Sequence, residues 1–228
     1  IRRLARVSDR ALILEPPLEG KLKTTRKGIG RFTISVKGQP AHAGLDPGKG
    51  ASAILELSHL IQKLFAMNDL ERGISVNVGK IDGGISPNVI APESTAVIDV
   101  RVPTQDDATE ITERIYALES ENPDVEIHVA GRIGRPPLES TPRNRRLWEQ
   151  ARDVGRILGV DLQETSAGGG SDGNTTSQYT ATLDGLGTVG NGAHAVHEHI
   201  EASRILERTA LLATLLLAPP TSPDRSLP

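Results

Sequence analysis

Between Gly30 and Ile133 the apolar and polar positions follow two alternating rhythms. Phe32, Ile34 and Val36 alternate with Thr33 and Ser35, the period of two expected of a strand with one buried face. Ile54, Leu57, Ile61 and Leu64 then recur at helical spacing. Alternation returns in Ile74, Val76 and Val78, and again in Ala96, Ile98, Val100 and Val102. Ile111, Ile115 and Leu118 form a second helical stripe, and Val125, Ile127 and Val129 a last strand. The order β-α-β-β-α-β predicts a ferredoxin-like sandwich, with two helices covering the apolar face of a four-stranded sheet. The other face is expected to be more polar. The edge strands are expected to be blunted or used for pairing with a second subunit.

On either side the pattern is shorter and more broken. Arg10 to Pro16 is an apolar run that predicts a buried strand presenting Glu15 at its end, stopped by Pro16-Pro17. Lys21 to Gly28 and Gly134 to Pro137 are expected as outgoing and return hinges. Leu147, Ala151, Val154 and Leu158 mark a helix ended by Gly159. A glycine-rich loop follows at Ser166 to Asn174, a short strand at Ala181 to Val189 and a His-rich loop at Asn191 to Glu201. Ser203 is expected to cap a helix running to about Leu217. The implied architecture is an α/β domain, residues 1–27 and 135–218, interrupted by a ferredoxin-like module over 28–134. The Pro/Ser-rich tail 219–228 is expected to be disordered. The chain opens at Ile1 in a basic stretch and is expected to be a piece of a larger enzyme.

Composition narrows the function. With 228 residues, a substantial core fits. Twenty-six basic against 29 acidic residues leave no nucleic-acid footprint; the arginines at 2, 3, 6 and 10 read as a solvated helix face. The absence of cysteine removes disulfides and thiolate metal sites, so a metal would be held by His and carboxylates. It is compatible with a cytoplasmic location, though a signal peptide upstream would change that. The longest apolar run, Ala210 to Pro219, is shorter than the roughly 20 residues a bilayer span needs, so no membrane partner is expected.

Several segments carry chemistry-bearing residues. Asn191 to Glu201 holds His194, His197, His199, Glu198 and Glu201, a density that suits metal binding or a solvated helix-entry loop, and spacing does not choose the histidine. Glu15 is either a ligand or a solvated strand end. Gly168-Gly-Gly-Ser-Asp172 suits backbone N–H groups aimed at an anion, with Asp172 as a helix cap, or a plain tight turn. It lacks the Lys of a nucleotide loop. His42, in Gly38-Gln-Pro-Ala-His-Ala-Gly44, suits donation to a developing oxyanion or is an ordinary surface histidine; Asn88 and Arg101 suit carboxylate recognition, though each taken singly reads first as structural.

Taken in order, Leu14-Glu-Pro16, Val36-Lys-Gly-Gln-Pro-Ala-His-Ala-Gly44, Gly83-Gly-Ile-Ser-Pro-Asn-Val-Ile-Ala-Pro92, Asp99-Val-Arg101, Gly168-Gly-Gly-Ser-Asp172 and Gly192-Ala-His-Ala-Val-His-Glu198 resemble the zinc metallopeptidase family of glutamate carboxypeptidase, acetylornithine deacetylase, succinyl-diaminopimelate desuccinylase and aminoacylase. The carboxypeptidase branch is the nearest in flavour. The resemblance implies Glu15 as a carboxylate ligand of one zinc and His194 as the terminal histidine ligand of the other. His42 would be the lid histidine that reaches into a partner subunit's site. Asn88 and Arg101 would bind substrate, Arg135 is a second candidate for the substrate carboxylate, and Gly169 and Gly170 would line the cleft. It also implies two zinc ions per subunit of the intact enzyme (cobalt or manganese as substitutes) and a homodimer formed through the lid. Substrates would be N-acyl amino acids or small peptides. The family's remaining ligands and its general base lie upstream, and residues 1–14 contain Asp9 but no His or Glu. This chain alone is therefore expected to bind zinc poorly and to be inactive. A deacetylase or desuccinylase shares the chemistry. A non-catalytic dimerisation or ligand-binding module is the alternative if the natural gene is this short.

Overall fold

The computed structural model describes residues 1–221. The chain divides into two compact units, Gly28–Arg135 and the combination of Ile1–Lys27 with Pro136–Pro228. It enters through α1 (Arg2–Val7), β1 (Arg10–Leu12) and β2 (Leu22–Arg26). The inserted unit is β3 (Gly28–Lys37), α2 (Ala53–Phe65), β4 (Ser75–Gly83), β5 (Glu93–Val102), α3 (Gln105–Tyr116) and β6 (Glu126–Arg135). The chain then returns through α4 (Pro142–Ile157), β7 (Glu164–Ala167), α5 (Asp172–Thr176), β8 (Ala181–Leu183), β9 (Gly190–Asn191), β10 (His199–Ile200) and α6 (Ile205–Leu217). No helix among the described residues is long and apolar enough to cross a membrane.

The inserted unit is the ferredoxin-like sandwich expected from the alternation. Its sheet runs β4-β5-β3-β6, antiparallel throughout. The even positions of β3, from Phe32 to Val36, are buried against Leu57, Leu60 and Leu64 of α2 and Ile111 and Ile115 of α3. Each such fully buried side chain contributes about 1.5–3 kcal/mol, so one continuous aliphatic core carries the unit. Both helices start on hydroxyl caps: Ser52 Oγ accepts from the Leu55 N–H and Thr104 Oγ1 from the Asp107 N–H. Glu56 is buried in α2, and its two carboxylate oxygens accept from the Glu121 (2.8 Å) and Asn122 (3.2 Å) N–H groups, tying the turn after α3 to α2.

In the other unit β1 runs parallel to β8 and β2 parallel to β7. Leu147, Trp148 and Ala151 of α4 and Leu211 and Leu215 of α6 form its core with Leu22 and Leu183. Four expectations are corrected here. The strand before Glu15 spans only Arg10–Leu12 and is half-buried, and Leu14 is exposed, because β8 offers just three partners. The outgoing hinge is itself a strand: Leu22, Thr24 and Arg26 of β2 face inward while Lys23 and Thr25 do not. Ser203 caps nothing, since it lies in a 3-10 turn, Ala202–Arg204, ahead of α6. Of the tail, Pro219 is held, its carbonyl accepting from Arg10 Nη2 (2.5 Å) and Gln150 Nε2 (3.0 Å). Ser222–Pro228 lie outside the described residues.

Candidate functional site

Glu15, the Gly168–Ser171 loop and Asp184 all follow the carboxyl ends of parallel strands (β1, β7 and β8), the end at which α/β sheets place ligands. The Glu15 carbonyl accepts from the Gly187 N–H at 3.0 Å. A Cβ on Gly187 would lie 2.4 Å from the Leu14 carbonyl oxygen, so only glycine permits this approach. The Glu15 side chain is exposed. Beside it Lys23 donates to the Pro16 carbonyl at 2.7 Å. Burial lowers the Lys23 pKa, as does the Arg26 charge, while Asp184 and Glu15 pull it back up.

Behind the loop stands a buried ion pair that the sequence reading missed. Arg26 donates to both oxygens of the fully buried Asp184, Nε to Oδ2 at 2.8 Å and Nη2 to Oδ1 at 3.0 Å. Its remaining nitrogen, Nη1, holds the Gly169 carbonyl at 2.8 Å. The Ser171 hydroxyl donates to Asp184 as well. Asn174, also fully buried, accepts from the Ser171 N–H (2.9 Å) and donates to the Lys27 (3.1 Å) and Pro136 (2.8 Å) carbonyls. Ser171, not Asp172, caps α5, within a capping box shared with Asn174. The N–H groups of Ser171 and Gly173 are thereby consumed inside the loop, which removes them as anion donors. Gly169 faces open space and Gly170 is half-buried. The available signal was thin: Arg26 ends a mostly polar stretch, Leu22–Arg26, and Asp184 directly follows the short run Ala181–Leu183.

The His-rich segment is a hairpin rather than a loop: β9 and β10 pair Asn191 with His199 and Gly190 with Ile200. At its tip His194 takes a positive φ of 66°, and its N–H donates to Glu198 Oε2 at 3.3 Å. Its imidazole is exposed. Among the described residues no group of three or more His, Asp or Glu side chains is gathered to hold a metal ion. Glu15 and His194 are thus single donors, short of the roughly four ligands that zinc takes. The residues present do not by themselves fit the metal centre that the resemblance implies.

In the inserted unit the segments that carry His42 and Asn88 run side by side. The segments after β3 and before β5 pair through a His42–Val89 bridge, with Ala43 N–H to Asn88 O at 3.0 Å and Ile90 N–H to Ala41 O at 2.9 Å. His42 Nδ1 accepts from the N–H groups of Gly44 (3.1 Å) and Leu45 (3.2 Å). Backbone N–H groups only donate, so Nδ1 carries the lone pair and the exposed Nε2 carries the proton. Asn88 Oδ1 accepts from Ser86 Oγ at 2.6 Å, which leaves its Nδ2 as the outward donor. Arg101 and Arg135 sit at the other end of the sheet, both in register with Ile29 of β3. Arg101 forks onto Asp99 of its own strand, Nε to Oδ1 at 2.7 Å and Nη2 to Oδ2 at 3.1 Å.

Residues 24–124 match the family model described as "Peptidase dimerisation domain". The chain is 27% identical over 231 residues to carboxypeptidase G2 of Pseudomonas sp. (strain RS-16), covering 95% of this chain and 54% of that protein. Its fold is similar to aminopeptidase PepT from Bacillus cereus ATCC 10987, with a TM-score of 0.75 at 18% identity over 94% of this chain and 58% of the other. It is also similar to a tripeptidase from Staphylococcus aureus subsp. aureus Mu50, with a TM-score of 0.63 at 20% identity over 92% and 56% of the two chains. The chain spans about half the length of these relatives.

Proposed function

We propose, from the match of residues 24–124 to the peptidase dimerisation domain and the similarity to carboxypeptidase G2, that the chain belongs to the metallopeptidase family that carries this domain and serves a metal-dependent, carboxypeptidase-like hydrolase. The reaction is cleavage of an amide bond in N-acyl amino acids or small peptides by a homodimer. The observation that carries this reading is the pairing of the His42 segment with the Asn88–Ile90 segment, through the His42–Val89 bridge, which sets two donors on neighbouring strands of chain inside a peptidase dimerisation domain. His42 Nε2–H donates to the oxygen that gains charge as the carbonyl is attacked, and needs no proton transfer to do so. The Asn88 amide fixes the substrate beside it. Arg101 and Arg135 are the candidates for the substrate carboxylate; at Arg101 that carboxylate would compete with Asp99. Gly169 and Gly170 line the cleft.

Glu15 and His194 would each give one bond to a metal, one to each zinc of the expected pair. The other donors and the general base would have to come from elsewhere, so no step is derived through the metals. The test compares wild type with His42→Ala in protein supplied with those donors, on N-acyl glutamates, acetylornithine and dipeptides, with metal content measured in parallel. Turnover should fall by about 10²–10³ with metal content unchanged. An unaltered rate would remove His42 from the chemistry, and fewer than about two zincs per subunit would count against the metal assignment.

A further inference from the structure

The face of the inserted sheet that the helices leave open carries a concentration of positive charge at one end. On β3 the core takes Phe32, Ile34 and Val36, so Arg31 and Thr33 point to the open face. On β5 it takes Ile98 and Val100, which turns Asp99 and Arg101 outward, and on β6 Val129 and Ile133, which turns Arg132 outward. Arg31 and Arg132 are direct partners in the ladder, and Arg101 and Arg135 flank Ile29 in the next row. Directly opposed residues lie about 4.5–5.5 Å apart at Cα, and like charges so placed destabilise a sheet. The acidic residue in these rows, Asp99, faces Arg31 from β5, but both of its oxygens are engaged by Arg101, at 2.7 and 3.1 Å. Arg31, Arg132 and Arg135 are exposed and have no ion pair or hydrogen bond among the described residues.

We propose that this face docks an acidic peptide segment, extended and with Asp or Glu at alternate positions, on Arg31, Arg132 and Arg135. The spacing suits such a segment. Alternate side chains of an extended peptide repeat about every 6.6 Å, and the rows of Ile29 and Arg31 lie two residues apart along β3. Successive carboxylates therefore fall on successive rows, where guanidinium forks take them bidentately. The carboxylates also relieve the repulsion between Arg31 and Arg132, an arrangement that gives up stability in the free chain for the sake of binding. Nucleic acid fits less well, since the row beside the arginines holds Val97, Thr33 and Ala130 and no aromatic ring on which a base would stack. The inference goes beyond the hydrolase reading, which gives Arg31 and Arg132 no part, and its test needs no turnover, so either can fail alone.

The probe is a short fluorescein-labelled peptide of alternating Glu and Ser, followed by anisotropy with the full chain. Arg31→Glu and Arg132→Glu should each weaken its binding about tenfold, and added salt should weaken it in the wild type. Arg156→Glu, at an exposed position of α4 in the other unit, should leave it unchanged. A peptide of the same composition with its Glu residues in one block should bind more weakly than the alternating one. Arg132→Glu should at the same time raise the thermal midpoint of the inserted unit, because it turns the opposed pair from repulsive to attractive; a residue that merely supported the fold would lower it. Peptide affinity unaltered in Arg31→Glu and Arg132→Glu, equal affinity for the blocked and alternating peptides, or a midpoint that falls in Arg132→Glu would each overturn the proposal. So would tighter binding of a single-stranded oligonucleotide of equal charge.

Discussion

Asp184→Ala offers the sharpest test of how the glycine-rich loop is held. The substitution leaves Arg26, itself 5% exposed, without its forked partner, and frees the Ser171 hydroxyl that caps α5. Removing one side of a buried ion pair costs about 3–5 kcal/mol, because the surviving charge stays desolvated. Against a domain stability of about 5–15 kcal/mol that is a large share. Trp148 is the chain's only tryptophan and is buried in the same unit, so its fluorescence in urea reports that unit alone. With a slope of about 2 kcal/mol per M, the midpoint should fall by about 1.5–2.5 M. Arg26→Ala should cost as much, and the double variant less than the sum by at least about 2 kcal/mol. Additive losses, or a single-variant shift below about 0.5 M, would mean that the pair does not hold the loop as a unit.

In the inserted unit Leu60→Ala, at a fully buried position, should cost about 2–5 kcal/mol; a calorimetric transition that fails to move would place the core elsewhere. Glu56→Ala leaves two N–H groups without their charged acceptor and should cost about 1.5–3 kcal/mol, with faster amide exchange at Glu121 and Asn122 as the local signature. The Arg204 hydrogen bonds hold the Glu207 carboxyl below its ordinary pKa, against burial, which raises it. A depressed carboxylate stabilises above its unfolded value of about 4.3 and loses that contribution as pH falls through its folded value. Melting followed by Trp148 should therefore drop on acidification into that range, less steeply in Glu207→Gln; identical slopes would discount the pair.

The inserted unit was legible because one-sided strands and helices write their burial into the sequence. The aliphatic positions that alternate from Phe32 to Val36 are the ones that fill the core. In the flanking unit the two long helices, α4 and α6, were legible, and the rest was less so, for a different reason in each place. β1 and β8 are three residues long, too short for a period to register. β2 buries Thr24 and Arg26 beside Leu22, so its inward face is mostly polar and the stretch resembles a hinge. Asp184 at the end of β8 looks like the start of a turn, and only the opposed Arg26, 158 positions earlier in the chain, makes it a structural centre. The His-rich segment announced its residues and concealed its shape, because the β9–β10 ladder has just two residue pairs.

The register of the sheet also constrains how the proposed substrate residues work. Arg101 and Arg135 flank Ile29, whereas the loops carrying His42 and Asn88 leave from the end where Lys37 pairs with Glu93. Eight positions of strand separate the two ends, about 26 Å at 3.3 Å per residue. A dipeptide spans at most about 7 Å, so one substrate cannot touch both ends of a single lid. If all four residues bind substrate, each lid serves two substrate molecules, and two copies must cooperate at each site. Complementation tests this directly. Mixing His42→Ala with Arg101→Ala subunits should give heterodimers in which one site keeps both residues, so about half of the wild-type activity returns. Verified heterodimers as inactive as their parents would mean that both residues act from the same lid, which the sheet's length forbids for one small substrate, and Arg101 would then be left to its ion pair with Asp99.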